Sequence, residues 1–221
     1  MKRSGFTFLE LLVALGILVA AFAIIFTIFT STLRAWHRGT EMLTELHHGD
    51  FVMEQLVQSL RSAAFFDSVP EFYEFRHEKR HAGGHPADVI SWVTSSSAFM
   101  PLDSPYANGL HRIVVTIDRT DRGRYGVAIR ALPHLSEDDH MDADPWFVST
   151  RVKGLECEVW DDEIGRWQSR WDESNAVPSL VKITLEMESA EDYGPPLRMQ
   201  RAVEIPIAPA VTSRVEFVNG E

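Results

Sequence analysis

The sequence predicts an α+β protein: a long amino-terminal helix, apolar and then amphipathic, packed on an antiparallel β-sheet. Three observations carry this. The run Leu11–Phe29 is apolar except for Gly16 and Thr27. No proline occurs before Pro70, so nothing in the backbone forces the helix to stop early. Beyond about Phe66 the hydrophobic period changes to two, and turn residues recur at short intervals.

Residues 6–30 form the first element. A run of about 19 apolar residues rising about 1.5 Å each is long enough to cross a bilayer core. A secretory signal peptide would have a shorter apolar core and small residues before its cut, and Ser31-Thr32-Leu33-Arg34 is a poor site of that kind. Lys2 and Arg3 form a short basic leader, residues 1–5, that holds the amino terminus in the cytoplasm; Arg34 and Arg38 on the far side weaken this signal without reversing it.

Residues 31–66 continue the helix with an amphipathic pattern. Trp36, Leu43, Val57 and Ala64 recur every seven residues, and Leu46, Met53 and Leu60 form an adjacent row, with Gly39 and Asp50 as interruptions. This narrow stripe is a face for packing on a domain or on neighbouring helices, so Trp36, Leu43, Leu46, Met53 and Leu60 are candidate helix-interface residues.

Residues 67–210 read as a β-rich domain with about eight short strands. Phe72–Arg76 is a short strand and Lys79–Ala87 a polar loop. Val89–Thr94 is a buried strand, followed by a Ser- and Pro-rich loop. Leu110–Asp118 and Tyr125–Leu132 flank Thr120-Asp121-Arg122-Gly123, a hairpin signal. Trp146–Thr150, Val152–Trp160, Arg166–Trp171, Leu180–Met187 and Met199–Ile207 complete the set, and residues 211–221 read as a tail. Short connections favour antiparallel pairing.

The formal charge is −11, and loss of Lys2 and Arg3 with the leader makes it −13. Phosphate contacts need Lys and Arg, so this balance argues against a nucleic-acid partner. The single cysteine, Cys157, excludes an internal disulfide, and its place on an apolar strand face makes it a core residue.

Glu10 is the anomaly. A carboxylate in a membrane helix costs on the order of 2.5–3.5 kcal/mol at the bilayer centre and less near an interface, and no cation follows it inside the span. Cleavage between Gly5 and Phe6 would create an α-amino group about 6 Å along the helix axis from Glu10. That amine, or the amine of a neighbouring copy, is its obvious counter-charge.

Together these residues carry a resemblance. The basic leader, Gly5 before Phe6, and Glu10 in an apolar helix resemble the prepilin-type processing motif of type IV pilins and type II secretion pseudopilins; Phe8 stands where leucine is usual. The resemblance implies a pilin-like fold, cleavage after Gly5 by a prepilin peptidase, N-methylation of Phe6, and Glu10 as an assembly and docking charge. Two further stretches are similar to the J-type minor pseudopilin of type II secretion. They are Met53–Phe66, and Trp160 through Ile207 with Trp160-Asp161, Arg166-Trp167, Trp171-Asp172, Val177-Pro178, Leu180–Leu185 and Arg201–Pro206. Glu10 separates the chain from the K type, and length from the smaller H and I types.

This likeness implies a single-pass inner-membrane protein with a periplasmic domain, assembled at the pseudopilus tip. Its partners would be I-type and K-type subunits, other pseudopilins and the inner-membrane secretion platform. It implies a structural role without catalytic residues, cofactor or metal. The alternative is a W-type minor type IV pilin used in pilus assembly or adhesion.

Four features compete with that reading. His77-Glu78-Lys79-Arg80-His81 spells H-E-x-x-H, a zinc-protease motif when helical, but Gly83-Gly84 would end such a helix at once, so it reads as a solvated loop. His47-His48 read as solvent-facing or packed on a partner subunit. The run Glu137–Asp144 offers oxygen ligands for calcium but lacks an EF-hand spacing, and reads as an exposed loop. Trp160, Trp167 and Trp171 read as a cross-strand aromatic cluster or a partner surface.

Overall fold

The computed structural model describes residues 7–101, 103–136, 144–173, 176–188 and 196–208. Helix α1 spans Phe8–Arg61, 54 residues without a break. The chain divides into two compact units, Met1–Thr44 and Glu45–Glu221. The first consists, among its described residues, of apolar helix, and Phe8–Thr40 is long and apolar enough to span a membrane. Its hydroxyl groups bond back onto the helix: Thr27 Oγ1 donates to the Ala23 carbonyl at 2.8 Å, and Ser31 and Thr32 both donate to the Ile28 carbonyl. A polar side chain satisfied in this way costs little in an apolar span.

In the second unit the helix buries Val52, Met53, Leu56 and Leu60 completely. These recur at three- and four-residue spacing, which puts them on one face. The helix ends at Arg61 rather than near Phe66 because a strand claims its backbone. The Ala64 N–H donates to the Val93 carbonyl at 2.9 Å, and Ala63 forms a bridge with Thr94. The end is closed by side chains: Trp92 Nε1 and Thr94 Oγ1 donate to the Ser59 carbonyl, and Thr94 Oγ1 also approaches the Ser62 carbonyl. The carbonyls of a last helical turn need such partners.

The sheet region holds eleven strands among the described residues: β1 Arg76–Glu78, β2 His81–Ala82, β3 His85–Pro86, β4 Val89–Thr94, β5 His111–Arg119, β6 Tyr125–Pro133, β7 Trp146–Ser149, β8 Val152–Asp161, β9 Arg166–Gln168, β10 Leu180–Met187 and β11 Leu197–Glu204. They form a five-stranded sheet in the order β1-β4-β5-β6-β7, a four-stranded sheet β11-β10-β8-β9, and the separate hairpin β2-β3. Every pairing of named strands is antiparallel. The inner faces of both sheets and the helix face share one core, with Trp92, Ile113 and Ile129 from the first sheet meeting Leu155, Cys157, Ile183 and Leu185 from the second. Each fully buried Leu or Ile contributes about 1.5–3 kcal/mol.

Two further stretches depart from the sequence expectation. Phe72–Arg76 is not a strand: Pro70–Phe72 is a single 3₁₀ turn, and the first strand begins only at Arg76. The cause is Arg112, fully buried on β5, which donates to the carbonyls of Phe72 at 2.8 Å and Glu74 at 3.3 Å and to Ser91 Oγ at 2.9 Å. Lys79–Ala87 is not a plain loop, because β2 and β3 pair across Gly83 and Gly84, at φ +60° and +85°. Positive φ at both central residues is what a two-residue hairpin turn requires.

Gly126 near the start of β6 allows a close approach of the chain at Ser149 and Thr150. A Cβ there would lie 2.5 Å from the Ser149 carbonyl oxygen and 3.0 Å from Thr150 Cα. Both are backbone atoms, which cannot rotate away. Gly126→Val is therefore expected to cost about 1–3 kcal/mol through overpacking, read as a lower urea midpoint with an unchanged m-value. A midpoint equal to wild type would show that β7 yields freely.

Candidate docking carboxylate and buried polar network

Glu10 sits in the first turn of α1 and is already engaged there. Its Oε2 accepts hydrogen bonds from the Thr7 N–H at 3.1 Å and the Thr7 hydroxyl at 3.2 Å, while Thr7 Oγ1 accepts from the Glu10 N–H at 3.3 Å. This is a reciprocal capping box, in which two orphan donors at the start of a helix are satisfied by each other's side chains. The helix dipole adds to it, since negative charge is favoured at this end. Sequence reasoning sought a cation for Glu10 and passed over Thr7, although the Thr-x-x-Glu spacing is itself a helix-start signal. Gly5 and Phe6 lie outside the described residues.

The large apolar side chains around and beyond it, among them Phe8, Leu12, Leu18, Phe22 and Phe26, are at least half exposed. That is the pattern of a helix whose apolar surface faces hydrocarbon or another chain. The amphipathic stripe divides. Met53 and Leu60 are spent in the domain's own core, Leu46 is half-buried, and Trp36 and Leu43 are exposed at 71% and 59%. Among the five candidate interface residues, only Trp36 and Leu43 present a largely free apolar surface.

The competing motifs resolve as follows. His77 and His81 lie on two different strands, β1 and β2, not on a helix. The His77 ring is fully buried and its Nε2 lies 3.2 Å from Asp88 Oδ2, whereas His81 is exposed. The stretch is thus neither a zinc helix nor a fully solvated loop, because Asp88 pulls one of its histidines inside. His47 and His48 are exposed. Among the described residues no group of three or more His, Cys, Asp or Glu is arranged to hold a metal ion. Of the run Glu137–Asp144, only Asp144 lies within the described residues.

Cys157 is fully buried, and burial followed by the nearby Asp88 charge pushes its thiol far above the ordinary range, which leaves it unreactive. Trp160 and Trp167 pack edge to face with centroids 5.4 Å apart, and Lys182 Nζ stands 4.6 Å from the Trp167 centroid. Trp171 packs instead against the core. Asp161 caps its own turn, accepting from the Glu163 and Ile164 N–H groups at 3.0 Å.

The sequence reading missed Asp88, which lies just before β4 and is fully buried. Its Oδ2 accepts from the Cys157 N–H at 2.8 Å, faces His77 Nε2 and lies 3.2 Å from Lys79 Nζ; its Oδ1 accepts from the Arg80 N–H at 3.4 Å. Lys79 also bonds Glu156 on β8 at 3.2 Å. Burial opposes charge on Asp88, but the bonds from His77 and Cys157 and the charge of Lys79 outweigh it, so the carboxyl titrates below its usual range. The network ties β1 and β4 of one sheet to β8 of the other. Both Asp88 oxygens are bonded, which makes the carboxylate a cross-brace between the sheets, while the buried His77 Nδ1 has no hydrogen-bond partner among the described residues.

The chain matches no protein-family model and no curated protein.

Proposed function

We propose that the chain is a minor pseudopilin of the J type, a non-enzymatic subunit that primes assembly at the tip of a type II secretion pseudopilus. The observation that carries this reading is the capped carboxylate Glu10 in the first turn of a helix long and apolar enough to span a membrane, directly after the Gly5-Phe6 pair. A plain anchor needs neither the pair nor the charge. The α+β domain beyond it, built on the same helix, supports the pilin-like assignment.

In this reading the prepilin peptidase cuts after Gly5 and methylates Phe6. The inner membrane retains the apolar segment, and the β-rich domain lies in the periplasm. There I-type and K-type subunits join it at the tip, above the secretion platform. Exposed Trp36 and Leu43 supply helix-to-helix contact.

The test is processing. Intact-mass analysis of the membrane-extracted protein is expected to give a chain beginning at methylated Phe6, and Gly5→Ala is expected to retain residues 1–5. A mature Phe6 terminus in the Gly5→Ala protein counts against the peptidase. Co-isolation with pilus subunits instead of I- and K-type subunits would assign the chain to the W type.

A further inference from the structure

Gly109, two residues before β5, is not required by the backbone. Gly83 and Gly84 supply a left-handed turn, and Gly126 a close approach of the chain. Gly109 does neither: its φ lies outside the left-handed region, and an added Cβ would meet no atom within 4 Å. The fold therefore tolerates a side chain there. What the missing side chain does change is the reactivity of the residue before it, Asn108.

Asn108 and Gly109 are both exposed, while the groups on either side of their shared peptide are held. The Ala107 N–H donates to the Ser104 carbonyl at 3.1 Å. The Gly109 carbonyl accepts at 3.0 Å from Nδ1 of His111, a fully buried residue at the first position of β5. The Tyr106 ring lies against the same imidazole, with centroids 6.4 Å apart. Between these anchors, the Gly109 N–H and the Asn108 side-chain amide have no hydrogen-bond partner among the described residues. The Gly109 nitrogen can therefore lose its proton to a solvent base without breaking any bond of the fold.

Once deprotonated, that nitrogen is a nucleophile beside the Asn108 Cγ. Attack forms the N–Cγ bond and breaks the Cγ–Nδ2 bond, and the side-chain nitrogen takes a proton from water and leaves as ammonia. Water then opens the resulting succinimide at either carbonyl, giving aspartate, or isoaspartate with the main chain rerouted through Cβ. No oxidant or cofactor is consumed. Intramolecular attack runs only from a near-attack arrangement, and glycine, with no Cβ, reaches it most readily. We propose that Asn108-Gly109 is a self-modifying site, a deamidation clock that adds a negative charge and, in its isoaspartyl form, one main-chain carbon beside the anchor of β5. Either product takes the formal charge from −11 to −12. The isoaspartyl product also lengthens the segment that brings the Gly109 carbonyl to His111, and so loosens that bond. This inference stands whether or not the chain is a pseudopilin.

The full chain in neutral detergent is incubated at mildly alkaline pH, and its digest is read by peptide mapping with electron-transfer fragmentation, which separates aspartate from isoaspartate. Conversion at Asn108 is expected, and its rate should rise with hydroxide concentration. Gly109→Ala, which the open space around Gly109 accommodates, should slow it by about tenfold or more, because a Cβ makes the near-attack arrangement rarer. Asn219-Gly220, the same dipeptide elsewhere in the chain, should keep its wild-type rate in that variant. The isoaspartyl fraction should exchange amide hydrogens around His111 faster than the unmodified chain. An Asn108 that stays an amide in the folded chain but converts in urea overturns the proposal, as does an equal rate in Gly109→Ala. Unchanged exchange around His111 overturns the loosening of the β5 anchor.

Discussion

Glu10→Gln is expected to abolish assembly while leaving the helix cap closed. The capping box needs an acceptor three residues after the cap, and glutamine serves as well as glutamate there. The Thr7 N–H and hydroxyl, 3.1 and 3.2 Å from the Glu10 carboxylate, would keep a partner. What glutamine lacks is charge. If Glu10 neutralises the amine of Phe6 on its own or an adjacent subunit, Glu10→Gln leaves that amine alone in an apolar setting, at about 3–5 kcal/mol for one half of a buried pair. Glu10→Ala should lose the same amount and also the cap, worth about 0.5–2 kcal/mol. Both variants should insert and fold. Crosslinking of membrane-resident subunits, with export of a reporter substrate, reads the outcome. A Glu10→Gln protein that assembles normally would mean that the carboxylate only closes the helix end.

The second large effect concerns Asp88. Asp88→Ala removes the acceptor of the Cys157 N–H and the shared partner of His77 and Lys79. The orphaned groups are buried or half-buried, so the expected loss is about 3–5 kcal/mol, a large part of the roughly 5–15 kcal/mol that holds a domain together. Urea denaturation measures it, and a loss below about 1 kcal/mol would show that water or a shifted side chain replaces the carboxylate.

The pH dependence follows from the same residue. Its carboxyl is depressed in the folded state, so the folded state binds fewer protons there than the unfolded chain. Its contribution is complete above the unfolded carboxylate value and is lost as pH falls through the folded value. Wild type should therefore lose stability steeply on acidification, and Asp88→Ala should show a flatter acid limb. Parallel acid limbs would remove Asp88 from this role.

The elements legible in the sequence are those whose partners are close along the chain. The β5-β6 hairpin announces itself through Thr120–Gly123, and β10 through the alternation of Val181, Ile183, Leu185 and Met187, all fully buried. The apolar half of α1 needed only length. The helix end at Arg61 was not legible, because the carbonyls of Ser59 and Ser62 are claimed by Trp92 and Thr94, some thirty residues on. Nor was Asp88, since an aspartate before a strand reads as a turn residue until β8 is known to lie beside it. Glu10 stood out for its charge, while its local bonds to the Thr7 N–H and hydroxyl were overlooked.

The bond that the Cys157 N–H donates to Asp88 closes a span of 69 residues, which has a consequence for the order in which the domain matures. Closing a loop of that size is entropically slow, and contacts of such separation come late. Until β8 arrives, the first sheet carries a hydrated carboxylate beside the residues that will become its apolar interior. That charge resists dehydration by any surface lacking a matching N–H and cation. A half-made domain is therefore expected to stick less readily to its neighbours through that surface, one carboxylate serving as a gatekeeper before it becomes a brace.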